Sequence, residues 1–106
     1  MLKESLTLLA ADAQTQMRYL KNLGLPEGVD ELALEYDETA AAADAMLDCG
    51  EINREQRDSI VQLNEYLGRI SGQSNAHLWT PKALHESIEW QEVRRQARIS
   101  LELLDP

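Results

Sequence analysis

The chain has no phenylalanine, one cysteine, three prolines and five glycines in 106 residues, and aromatic side chains make up only 5% of it. A lone cysteine, Cys49, excludes an internal disulfide, so nothing in the sequence asks for an oxidising compartment. It reads as a small residue at a helix end. No stretch is apolar enough to span a bilayer, and the opening MLKESLTLLAAD places Lys3, Glu4 and Asp12 where a secretion signal needs an unbroken apolar run. The expected location is the cytoplasm. The alternating apolar and polar pattern of half-buried strands is missing as well. Leu and Ala carry most of the apolar content, which favours helices.

The most localised absence is of positive charge. From Asn22 to Asn53 there is no lysine or arginine, while nine acids occur: Glu27, Asp30, Glu31, Glu35, Asp37, Glu38, Asp44, Asp48 and Glu51. The remaining chain has ten acids and ten bases, so the whole net charge of −9 lies in that one window. With a pI near 4.6, DNA, RNA and anionic membranes are repelled as direct ligands. A basic protein partner is permitted.

What is present suits one soluble globular domain spanning residues 1–106. The chain is 43% apolar and 27% charged, and it is long enough for one core but short for two. Leu6, Leu9, Ala13, Met17, Leu20 and Leu23 recur at three- and four-residue steps and predict a helix over 3–23. Gly24 suits the left-handed residue after a helix, and Pro26 prevents continuation. A second helix is expected over 31–49, with Asp30 as N-cap and Gly50 as the stop. Asn53 and Gln56 form a capping-box pair ahead of a third helix over 54–71, whose buried stripe is Ile60, Leu63, Leu67 and Ile70. SGQSNAHLW reads as the one loop of any length. Thr80 and Pro81 then start another helix. Leu84 is out of phase with Trp90, Val93, Ala97, Leu101 and Leu104, so a break near Ser87 is expected, with the last helix over 88–104. The fold class is all-α: a compact bundle of four or five amphipathic helices.

On a helical wheel the acidic segment sorts into faces. Leu32, Tyr36, Thr39, Ala43, Met46 and Leu47 share the core arc. Asp30, Asp37, Asp44 and Asp48 line one flank, and Glu31, Glu35 and Glu38 the other, with Leu34, Ala41 and Ala45 facing outward between them. Runs of charge are most often solvated faces, and many bacterial cytosolic proteins are acidic. Two details weigh against that plain explanation. Asp48 sits in the last turn, where the helix dipole prefers a cation, and Glu31/Glu35 and Asp44/Asp48 are like charges at i,i+4, each costing roughly 0.2–0.5 kcal/mol. Candidate partner-binding residues are therefore Asp30, Leu34, Glu35, Asp37, Glu38, Asp44 and Asp48, with Leu34 as the apolar anchor. Arg94, Arg95 and Arg98 on the last helix are the internal competitors, placed to neutralise one acid row. Tyr36 reads equally as buried structure or as part of the binding face.

Reaction chemistry finds little support. There is no CxxC, HExxH or calcium-loop motif, and His85 in HES has the wrong spacing for a carboxylate-bridged metal. No glycine-rich phosphate loop and no nucleophile elbow occur. His77 reads as a loop residue, His85 as a helix-surface residue, and Trp79 and Trp90 as core. No cofactor, metal or catalytic activity is expected. In size, charge and helix content the chain is similar to the small acidic helical proteins that cover a basic active cleft, such as the immunity proteins of nuclease bacteriocins. No motif carries over from them. The expectation is an acidic cytosolic protein-binding domain that docks a basic protein, such as a nuclease-type toxin, through the helix at 30–49. The alternative is a structural or assembly homo-oligomer, such as a homodimer, pairing through Ile88, Ile99 and Leu103.

Overall fold

The punctuation read from the sequence is where the chain turns. In a computed structural model that describes residues 2–104, the helices are α1 (Leu2–Ala10), α2 (Ala13–Asn22), α3 (Asp30–Ala40), α4 (Ala43–Asp48), α5 (Arg54–Arg69), α6 (Pro81–Glu86) and α7 (Ile88–Leu104). The expected loop carries 3-10 turns over Gln73–Leu78, kinked at Asn75, whose φ and ψ are not helical. The described residues contain no strand. Gly24 and Gly50 take φ of 77° and 78°, a backbone region that side chains disfavour, and end α2 and α4. Asn53 accepts from the Gln56 amide at 2.8 Å while its own amide donates to the Gln56 side chain at 2.7 Å, closing the capping box of α5. The Thr80 hydroxyl accepts from the Ala83 amide at 3.1 Å ahead of Pro81. Ser87, with ψ of 147°, breaks α6 from α7, and its hydroxyl accepts from the Trp90 amide.

Two of the predicted helices are each divided. The segment expected as one helix over 3–23 breaks at Ala11 and Asp12, where the Asp12 carboxylate accepts from the Thr15 amide at 2.8 Å and caps α2. At the end of α1 the Leu8 carbonyl accepts from the Ala11 amide at 3.2 Å, and the Gln16 amide nitrogen donates to both Leu8 and the otherwise open Leu9 carbonyl, each at 3.1 Å. Apolar periodicity runs through this break because Leu6, Leu9 and Leu20 still reach the core. Leu23, expected on the same stripe, is 49% exposed.

The segment expected over 31–49 bends at Ala41 and Ala42. There the amide of Ala41 bonds four residues back, to Asp37, and that of Ala42 three back, to Thr39. No glycine or proline lies at the bend, and alanine is the best helix former. Packing supplies the cause: Ala40 and Ala43 are both buried, and α4 turns to lie on α5. Asp30 is not the N-cap of α3. Val29 holds that position, fully buried with helical φ and ψ, and makes no side-chain cap. Tight bonds from Glu31 to the Gly28 carbonyl and from Leu32 to the Val29 carbonyl serve the first turn instead.

The core is one cluster. α7 packs against α1 and α5, α3 against the same two helices, and α2 against α6. Trp90, Tyr36, Leu6, Leu9, Leu20, Leu32, Ile60, Leu63 and Leu84 are essentially inaccessible. The polar ends of the large aromatics are satisfied, as burial requires: the Tyr36 hydroxyl donates to the Ile60 carbonyl at 2.8 Å, and the Trp90 indole to the Leu78 carbonyl at 2.7 Å. Tyr36 is thus buried structure, not part of a binding face. The Cα radius of gyration, 13.5 Å, is close to the value of about 13 Å expected for a compact chain of this length.

Candidate docking site

α3 and α5 lie side by side and antiparallel. Tyr36 bonds to Ile60, Asp37 to Asn64, and Asp44 beyond the bend to Arg57. Each helix turns an i, i+3, i+4, i+7 face towards the same open groove, which encloses about 370 Å³. α3 contributes Asp30, Ala33, Leu34 and Asp37, α5 contributes Asn64, Leu67 and Gly68, and Ser71 follows just past its end. Trp79 closes one end. Its ring is held by an indole bond to the Ile70 carbonyl at 2.8 Å and an edge-to-face contact with Trp90, ring centres 5.3 Å apart.

Gly68, the penultimate residue of α5 and exposed, lines the groove without adding a side chain to it. Nothing lies within 4 Å of where its Cβ would be, so no neighbouring side chain or backbone needs the space. Leu34, 54% exposed, stands over the groove, and Leu67 is buried at its base. The charged groups of the lining are Asp30 and Asp37, with no base among them. Asp37 is aimed across the groove by Asn64, whose amide donates to it at 2.9 Å. Arg69, next to Gly68 in sequence, lies over the Tyr66 ring at 5.5 Å and lines no part of the groove.

The residues expected to form one acidic face therefore separate into three groups. Asp30, Leu34 and Asp37 come together at the groove. Glu35 lies on the opposite flank, where it accepts from the Tyr19 hydroxyl at 2.5 Å. That bond, aided by burial and by the nearby carboxylates, pushes the Tyr19 pKa up to about 12. Asp44 and Asp48 sit on α4, past the bend. Asp44 is paired with Arg57 Nε at 2.7 Å, which raises the guanidinium pKa further. At 75% exposure for Asp44 that pair adds little stability. Glu38 and Asp48 are exposed.

Among the described residues, no ion pair joins Arg94, Arg95 or Arg98 to the acidic helices. Arg94 is 9% exposed and donates to Gln16 and to the Leu84 carbonyl. Arg95 is bound two-pronged by Glu92, at 2.8 and 2.6 Å. The base that reaches the acidic segment is Arg57, from α5. Trp79, expected in the core, is half-buried and lines the groove. The α5 wall was not anticipated either.

No three His, Cys, Asp or Glu side chains among the described residues converge as metal ligands would. Among those residues, no helix is long and apolar enough to cross a membrane. Cys49 is exposed at the end of α4. His77 and His85 are exposed too, with His85 Nδ1 lying 2.9 Å from the Pro81 carbonyl oxygen. Compared with protein-family models, curated proteins and solved structures, the chain has no match in any of the three.

Proposed function

We propose that this protein is a non-enzymatic binding module, a bundle of four to five amphipathic struts in which α1–α2 and α3–α4 each act as one bent strut, that docks a positively charged protein through α3. The observation that carries this reading is the convergence of Asp30, Leu34 and Asp37 on one open groove whose lining holds no base. An exposed apolar residue between two carboxylates is how a docking face combines an anchor with charge selection. Arg57 offsets one acid of the nine, so the window keeps most of its negative charge for an incoming partner.

In its most specific form the proposal is an inhibitor of the immunity type, acting in a bacterial cytoplasm and covering the basic cleft of a nuclease-type toxin. Size, acidity and helix content support that form. Affinity capture from the native host, with the purified partner then titrated against the wild type and an Asp30→Asn/Asp37→Asn variant, tests the reading. The amide introduced by Asp37→Asn keeps an oxygen that accepts from Asn64, so the fold should be unchanged while binding weakens and loses much of its salt dependence. A partner held equally by both proteins would overturn it.

A second reading has an observation of its own. Ile88 and Ile99 on α7 are 77% and 40% exposed, and with Leu103 they form an outward stripe that suits a homodimer.

A further inference from the structure

We infer that the groove between α3 and α5 receives an amphipathic helix of the partner, with a bulky apolar side chain seated over Gly68 beside Leu34 and basic residues two turns apart facing Asp30 and Asp37. This rests on the acidic docking reading above and narrows it to a class of ligand.

Three features select that class. The first is the missing side chain at Gly68. In the last turn of α5 Gly68 adds no side chain to the groove lining, and nothing lies within 4 Å of where its Cβ would be, which leaves room for a group from outside. The second is that the polar groups of the groove are already committed. Asn64 donates to Asp37, the Ser71 hydroxyl to the Leu67 carbonyl at 2.7 Å, and the Trp79 indole to the Ile70 carbonyl. A sugar or nucleotide would find few free donors there, and Asp30 and Asp37 repel phosphate. What remains on offer is the apolar surface of Ala33, Leu34, Leu67 and Trp79, with two carboxylates above it.

The third feature is spacing. Asp30 and Asp37 are seven residues apart on one face, about 10 Å along the axis. A ligand helix lying along the groove repeats the same interval. Lysine or arginine at its positions i and i+7 meets the two acids, and a Leu, Met or Phe at i+3 or i+4 falls between them, over Gly68. An amphipathic helix laid into a groove between two helices is an established recognition mode, read as anchors at this spacing.

Three synthetic helical peptides, each about 18 residues long so that helix can form, test the inference against the full chain. One carries Lys at i and i+7 with Leu at i+3 and i+4. The second replaces both Leu by Ser, and the third replaces both Lys by Glu. Amide chemical-shift perturbation in NMR reports both site and affinity. The Lys/Leu peptide is expected to shift Ala33, Leu34, Leu67, Gly68 and the Trp79 indole, and to bind at least about tenfold more tightly than the Lys/Ser peptide, since a buried leucine side chain supplies that much. Gly68→Leu, whose Cβ meets nothing within 4 Å, should abolish the advantage without unfolding the protein. If the Lys/Leu and Lys/Ser peptides bind alike and Gly68→Leu changes nothing, the groove inference falls while the acidic docking reading stands. If the Glu peptide binds as well as the Lys peptide, or neither Lys peptide binds, the docking reading falls with it.

Discussion

Arg94 on α7 donates from both Nε and Nη2 to the side-chain oxygen of Gln16 on α2, across 78 residues of sequence. Gln16 in turn serves the carbonyls of Leu8 and Leu9, the second of which has no other donor among the described residues, and Arg94 serves that of Leu84 at the end of α6. One amide and one guanidinium thus satisfy two helix ends inside the core. Burial lowers the Arg94 pKa and the nearby Arg98 charge adds to that, with the Asp12 carboxylate opposing both, while its hydrogen bonds run to neutral oxygens.

Gln16→Leu should be the more damaging change of the pair. It strands the Leu9 carbonyl and leaves the guanidinium with the Leu84 carbonyl as its one remaining acceptor, at a cost of about 1–3 kcal/mol. Arg94→Met removes the buried charge together with its bonds and should cost less. Urea unfolding of the two variants gives the ordering; the reverse order would mean that Arg94 draws stability from a partner other than Gln16.

All three tyrosines should ionise late. Tyr19 is raised to about 12 by its bond to Glu35, Tyr36 further still by burial, and Tyr66 chiefly by burial. Because these folded values lie above the unfolded value of about 10, the neutral phenols favour the folded state. Their contribution is complete below pH 10 and is lost as the pH rises, for Tyr19 between 10 and about 12. Ultraviolet titration of tyrosinate should show the delay in the native protein and not in the denatured one. Glu35→Gln should return Tyr19 towards 10.

Gly68→Ala should stabilise the protein slightly, by less than the roughly 0.5–1 kcal/mol of a helix-interior site, because Gly68 is the penultimate residue of α5 and the new methyl meets nothing. A raised thermal midpoint is the expected readout. A lowered one would show that the groove floor is closed in solution.

Ile99→Glu separates the dimer reading from the monomer. If the α7 stripe pairs with a second copy, light scattering of the wild type should give twice the chain mass, and the variant should give one chain mass with unchanged helix content in circular dichroism. A wild type that is monomeric at tens of micromolar would leave Ile88 and Ile99 as ordinary exposed side chains.

The legible parts of this fold are those decided within a few residues. Gly24, Gly50, the Asn53–Gln56 box, Thr80–Pro81 and the break at Ser87 all act through local backbone chemistry, and each stands where the sequence puts it. The breaks at Asp12 and Ala42 stayed hidden for different reasons. Asp12 is a recognisable cap, but leucines on the core stripe continue past it. The bend at Ala42 has no local cause and follows from α4 packing on α5. At the site, the wheel brought Asp30, Leu34 and Asp37 onto one side of α3. It also carried Asp44 and Asp48 along on a helix that does not continue straight. The α5 wall could not be read, because which helix lies beside α3 is a tertiary fact. Arg94 looked like a surface cation for the same reason, its acceptor Gln16 being far away in sequence.

The scarcity of aromatic side chains makes Trp79 an optical probe. The chain has two tryptophans. Trp90 is sealed from solvent, so the half-buried indole at the groove is the one that a quencher or a ligand can reach. Iodide, repelled by Asp30 and Asp37, should quench its emission less than neutral acrylamide does, and the gap should narrow in Asp30→Asn/Asp37→Asn. The unlabelled protein can therefore report both the filling of its groove and the charge around it.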